Sequence, residues 1–221
     1  MTDADLSAEA IGKLSSAELI TLLAQLDPHD EASAAAIAQL DVDAIGRAID
    51  PKRLGKGDVT RLLAEIERLS SAGADLELDG MGAKTFARII SRASEAQLRD
   101  VLTRPPLRKR ILTEIFGRME QHLRTDRAGS VRAVLQWRFT GGTGEDGYDR
   151  FTSVIADGAC TTTPTKADKP RVTITMSAYE FLRLITNNAS APVLFMTGKL
   201  RVRGDLAFAA GMMGMFDLPR A

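Results

Sequence analysis

The sequence predicts two domains of different class. An all-α helical-repeat domain over residues 1–104 is followed by an α+β domain, a sheet covered by helices, over residues 105–221. Three observations predict this division. Residues 1–104 carry 12 Lys+Arg against 18 Asp+Glu, whereas residues 105–221 carry 17 against 11, so a net charge of zero hides two opposite halves. Phe86 is the only aromatic residue of the first half; Trp137, both tyrosines and seven phenylalanines lie in the second. The apolar period changes from helical to alternating past Pro105-Pro106, and a residue before proline is pushed out of the helical region.

Within the first half, Ser15-Ser16-Ala17-Glu18 is a capping box, in which serine accepts a backbone N–H of the first turn and glutamate reaches back to the cap. Leu19, Leu22, Leu23 and Leu26 then recur at helical spacing until Asp27-Pro28 stops the segment. Shorter helices are expected at 31–40, 42–49, 58–69 and 84–91. A second box, Ser94-Glu95-Ala96-Gln97, precedes Leu98, Val101 and Leu102. Leu-Asp steps at Leu26-Asp27, Leu40-Asp41 and Leu78-Asp79 suggest a degenerate helical-hairpin repeat, because a short helix cannot bury its apolar stripe alone. In that layout the half faintly resembles the acidic helical superhelix at the N-terminus of bacterial magnesium transporters. No metal site is carried over from it.

The second half opens with a helix over 107–124. Residues 131–139 place apolar side chains on odd positions, 171–176 place Val172, Ile174 and Met176 on one face, and 199–203 place Leu200 and Val202 inward with three cations outward. Weaker strands at 151–156 and 159–163 flank an Asp157-Gly158 turn. Together these predict a five-stranded antiparallel sheet, wet on one side. A third capping box, Ser177-Ala178-Tyr179-Glu180, starts a helix with Phe181, Leu182 and Ile185. Asp205 caps a last helix, Leu206 to Phe216, which has no polar side chain. Eleven helical residues span only ~16 Å, so this segment is expected to be buried all round or to line something apolar. Its three methionines and two glycines would make an adaptable wall.

The run from Val172 to Ser177, then Phe181-Leu182, then Phe195 to Leu206 resembles the sterol carrier protein-2 (SCP2) family, in the family's order and spacing. The resemblance covers about residues 107–218. It implies an SCP2-like five-stranded sheet covered by helices around an apolar tunnel, and the binding or transfer of fatty acid, fatty acyl-CoA, phospholipid or sterol without chemistry of its own. On that reading Phe181, Ile185, Phe195, Phe208, Met212, Met213, Met215 and Phe216 form wall or lid, and Leu135, Trp137 and Ile174 the floor. Lys199, Arg201 and Arg203, with Arg171 beside them, could meet an anionic headgroup. The sequence departs from the family in the Thr186–Pro192 stretch and in the Gly211-Met212-Met213-Gly214 ending.

Other chemistries are set aside. The string Gly142-Thr143-Gly144-Glu145-Asp146-Gly147 lacks the strand-before, helix-after context of a dinucleotide loop and carries two acids where pyrophosphate would sit. Asp75 to Gly80 begins like a calcium loop, but Phe86 stands where a glutamate is required. A lone Cys160 on a strand, His29 in a turn and an exposed His122 form no catalytic arrangement. Arg108-Lys109-Arg110 has no aromatic platform for nucleic acid and is expected to face solvent or the acidic half. No apolar run reaches the ~20 residues of a membrane span, and Met1 to Glu9 is acidic, so a soluble cytoplasmic protein without cofactor or metal is expected. Its partners would be a lipid or acyl-CoA ligand, a transient membrane surface, and a protein held by the helical half, but no nucleic acid. The alternative is a scaffold protein working through residues 1–104, with a filled, ligand-free SCP2-like module.

Overall fold

Polar caps set where the first helices begin. In the computed structural model, which describes residues 7–38, 40–71, 80–144 and 146–217, four helices start behind a Ser or Asp that accepts a backbone N–H. They are α1 (Ala8–Lys13), α2 (Ser16–Gln25), α3 (Glu31–Ile37) and α4 (Val42–Ala48), capped by Ser7, Ser15, Asp30 and Asp41. Then come α5 (Lys56–Ser71), α6 (Ala83–Arg92) and α7 (Glu95–Leu102). The boxes Ser15–Glu18 and Ser94–Gln97 close in both directions, and each cap is worth about 1 kcal/mol. The sequence reading missed α1 and a 3-10 turn at Pro51–Arg53.

Helix C-termini leave carbonyls without partners, and side chains from later helices satisfy them. Arg88 donates to the carbonyls of Gly46, Arg47 and Ile49 at 2.6–3.3 Å, and Arg68 to those of Leu23 and Leu26 at 3.0 Å. Buried Gln97 donates to the carbonyls of Pro51 and Leu54 at 2.9 and 2.7 Å. The principal packing pairs are α1 with α4, α2 with α5, α4 with α6 and α5 with α7. These partners are two or three helices apart in the chain. Leu78-Asp79 and the calcium-like stretch before Gly80 lie outside the described residues.

The first compact unit ends at Thr103 and a second begins at Arg104. Its first helix, α8 (Pro105–Gln121), opens on the two prolines. They are tolerated there because a first-turn N–H has no helical partner to lose. A single turn, α9 (Thr125–Ala128), leads to β1 (Ala133–Thr140), β2 (Tyr148–Ala156) and β3 (Ala159–Thr163). Asp157 and Gly158 both take positive φ, 53° and 76°, as a tight hairpin turn requires. Between β1 and β2 the Gly142 N–H donates to the Gly147 carbonyl.

The sheet continues with β4 (Val172–Ser177) and β5 (Leu200–Gly204), in the order β3-β2-β1-β4-β5. It is mixed rather than antiparallel, because β4 runs parallel to β1. The reason lies in residues 164–171. Thr163 pairs with Thr152, which pairs with Gln136, while Val172 pairs with Leu135, so β3 ends level with the start of β4 and the link need only cross the sheet sideways. Buried Gln136 holds it there: its amide donates to the carbonyls of Phe151 and Thr165 and accepts from the N–H of Ala167. The link therefore covers part of the face expected to be wet.

Between β4 and β5 lie α10 (Ala178–Ile185) and α11 (Ala191–Met196), and α12 (Leu206–Met212) follows β5. The third capping box is only half made. Ser177 accepts from Glu180 N–H, but the Glu180 carboxylate turns to Lys199 and Arg183, at 3.0 and 3.4 Å. Leu135, Trp137, Phe139, Phe151, Val172, Ile174 and Met176 make the buried face of the sheet. Arg108 corrects the expectation of an outward basic run: it is buried, bonds Asp149 at 2.6 Å and caps the Phe139 and Thr140 carbonyls.

Candidate functional site

An apolar cavity of about 250 Å³ lies between the buried face of β4–β5 and the short helices beside it. Alternation along the strands brings Ile174, Met176, Leu200 and Val202 to its floor, with Trp137 of β1 at its inner end. Helix α10 contributes Leu184, and α11 contributes Ala191, Pro192 and Phe195. The roof is α12 with its following turn: Leu206, Ala209, Ala210, Met212 and Met213. All fourteen lining residues are apolar. Small residues on the helices keep the space open, since alanine reaches too short a distance to meet the strand side chains across from it.

The roof is tied at both ends. Gly204, at φ +105°, takes a turn in which a Cβ would lie 2.4 Å from the Arg171 carbonyl, so only glycine fits. Asp205 then caps α12 through Phe208 N–H and bonds the Arg171 guanidinium at 2.8 Å, which stacks 4.2 Å over the Phe208 ring. The Phe208 N–H, then Arg171, hold the Asp205 carboxyl below its ordinary range. At the far end a 3-10 turn, Met213–Met215, replaces the last turn of the helix expected to reach Phe216. Arg124 N–H donates to Met215 at 2.7 Å and Asp217 N–H to His122 at 2.8 Å. Between these ties α12 is not buried all round: Leu206, Ala207, Ala210 and Gly211 are exposed.

Of the eleven residues expected to line a lipid site, Trp137, Ile174, Phe195, Met212 and Met213 border this cavity. Leu135, Phe181 and Ile185 are instead packed in the core, and Phe208 lies under Arg171. Met215 and Phe216 lie at the anchor beside Leu123 and Arg124. Lys199 is occupied by Glu180, whereas Arg201 and Arg203 are exposed on edge strand β5. The sequence reading missed α11 and, with it, Ala191 and Pro192. Ser190, which caps it through Val193 N–H, and Pro192 in its first turn were the available signal.

Nothing reactive faces the cavity. Cys160 lies on the buried face at β3, where burial pushes its thiol up to about 11. Among the described residues no group of three or more His, Cys, Asp or Glu is placed to hold a metal, and no helix is long and apolar enough to cross a membrane. A larger depression of about 560 Å³ opens elsewhere on this unit, between Lys109, Lys166 and the loop after β1. Its charges are largely matched, Asp149 with Arg108 and Asp146 with Arg150, so it offers neither an apolar wall nor a concentrated charge.

Residues 112–217 match the SCP-2 sterol transfer family. Among curated proteins, hydroxysteroid dehydrogenase-like protein 2 of Bos taurus is 26% identical over 137 residues, which is 61% of this chain and 32% of that protein. The chain thus spans about a third of the length of that relative. Among solved structures, the apo form of sterol carrier protein 2 from Yarrowia lipolytica is 24% identical over 38% of this chain and 65% of that one, with a TM-score of 0.32. The inverting sec-alkylsulfatase Pisa1 from Pseudomonas sp. is 18% identical over 88% of this chain and 33% of that one, with a TM-score of 0.43.

Proposed function

Because residues 112–217 form a domain of the SCP-2 sterol transfer family, we propose that this half of the chain binds and transfers lipid through the cavity roofed by α12. One observation carries the reading: fourteen apolar residues enclose about 250 Å³ with no side-chain donor or acceptor among them except the Trp137 indole, whose N–H is already given to Ser153 at 3.0 Å. Such a wall recognises bulk and shape. Ligand pockets for whole small molecules run from about 300 to 1,000 Å³, so this cavity suits an acyl chain better than a fused-ring body. Each methylene taken from water contributes about 0.8 kcal/mol, and useful affinity follows without a polar anchor. A fatty acid, acyl-CoA or phospholipid would leave its headgroup outside the mouth. Binding without chemistry and a cytoplasmic setting belong to the same reading. The open cavity favours it over a filled module that serves only as a scaffold.

Trp137, the only tryptophan of the chain, stands in the cavity wall and reports on its contents. Titration of the full chain with a long-chain fatty acid is expected to shift its emission saturably. Met212→Glu, which puts a carboxylate into the roof, is expected to abolish the shift while circular dichroism keeps the helical signal. A saturable shift that survives Met212→Glu in a folded protein would place the ligand elsewhere. No shift and no bound lipid would end the proposal.

A further inference from the structure

Strand β5 ends the sheet: on one side it pairs with β4, and among the described residues no strand pairs with it on the other. An edge strand keeps alternate backbone N–H and C=O groups unpaired, which makes it a template for another chain. Alternation sorts the side chains along that edge into two kinds. Leu200 and Val202 face the cavity, so Arg201 and Arg203 face the opposite side of the sheet. On the cavity side α11 packs against β5 and exposes three large apolar side chains, Val193, Phe195 and Met196. Single exposed apolar residues need no explanation, but a cluster does. On the other side the cations stand free. Asp205 holds Arg171 and Glu180 holds Lys199, but among the described residues Arg201 and Arg203 form no ion pair. Both are exposed, and their cross-strand neighbours, Thr175 and Thr173, carry no charge.

We propose that β5 takes up an extended segment of a protein partner as an added strand, and that this segment alternates acidic with apolar residues. Main-chain hydrogen bonds along the free edge supply affinity, and alternate side chains supply specificity. On one face of the added strand the acids meet Arg201 and Arg203. On its other face the apolar side chains continue the row of Leu200 and Val202 and lie against α11. The same placement rejects two other occupants. A second copy of β5 would set Arg201 and Arg203 beside themselves, and like charges opposite one another in a sheet are destabilising. A membrane surface asks for apolar and basic groups on one side, whereas here they lie on opposite faces of the sheet. Nothing in this assignment depends on the cavity holding a lipid.

A fluorescein-labelled peptide of alternating glutamate and valine, titrated with the full chain and read by fluorescence anisotropy, tests the proposal. Binding is expected to be saturable, to weaken as salt is raised, and to slow amide hydrogen exchange over residues 200–204. A peptide of the same composition with its glutamates and valines in two blocks should bind about tenfold more weakly or worse. So should the alternating peptide with every backbone nitrogen methylated, which cannot donate to the ladder. Arg201→Glu with Arg203→Glu should cut the affinity by about tenfold or more and move the preference to a peptide of alternating lysine and valine, with circular dichroism unchanged. No saturable binding of the glutamate-valine peptide, equal binding of the block or methylated peptide, or an affinity unmoved by the charge reversal in a folded protein would overturn it. So would slowed exchange over residues 200–204 on raising the protein concentration alone, by assigning the edge to a second copy of the chain.

Discussion

Two halves of one sheet face solve the same burial problem in opposite ways. Under β1 and β2, Phe116, Trp137, Phe139, Phe151 and Phe181 pack against one another with ring centroids 4.7–6.1 Å apart. Under β4 and β5, branched aliphatics face alanines and methionines, and about 250 Å³ stays open. Trp137 belongs to both, one flank against Phe116 and Phe181 and another in the cavity wall. The difference is one of reach rather than polarity. Rings from α8 and α10 extend far enough to meet the strands, whereas Ala209 and Ala210 of α12 do not.

This contrast can be broken from the aromatic side first. Phe116, 2% exposed and touching four other rings, should lose about 3–5 kcal/mol of stability in its unit on Phe116→Ala, read by denaturant unfolding. Removing the Trp137 partner with Ser153→Ala strands a buried indole N–H and should cost about 1–3 kcal/mol. On the open side the same test should give little. Val202→Phe grows into existing space, so its stability cost should fall below the about 1–3 kcal/mol of overpacking, while the fatty-acid response of Trp137 is lost. A full overpacking penalty for Val202→Phe would show that the two halves are equally filled.

The smallest expected effect is at Cys160. Its thiol rises from 9.0 to about 11 because burial disfavours the thiolate. The folded state therefore holds the proton more tightly than the unfolded chain. Its contribution to stability is complete below pH 9 and is lost as pH climbs from 9 towards about 11. Wild type should show a steeper loss over that window than Cys160→Ala, and the native thiol should be inert to disulfide reagents near neutral pH.

What was legible in the sequence was local. Ser15 with Glu18, Ser94 with Gln97, and Asp157-Gly158 each encode a cap or turn within four residues, and each formed. Strand alternation correctly assigned Val172, Ile174, Met176, Leu200 and Val202 to one face. What was hidden depended on distant partners. The parallel pairing of β4 hangs on Gln136 meeting residues 165–167, and the inward turn of Arg108 on Asp149, 41 residues away. Core and cavity wall were hidden for a different reason. Phe181 and Ile185 are as apolar as Leu200 and Val202, and only the length of the side chains across from them decides which stretch closes.

The central claim is that the open half holds a lipid, and non-denaturing mass spectrometry of the full chain, before and after incubation with mixed acyl lipids, tests it most directly. The account predicts added masses that resolve on extraction into acyl lipids, in a one-to-one complex, and that vanish in Val202→Phe. A bare mass before and after incubation, or adducts retained equally by Val202→Phe, would contradict it.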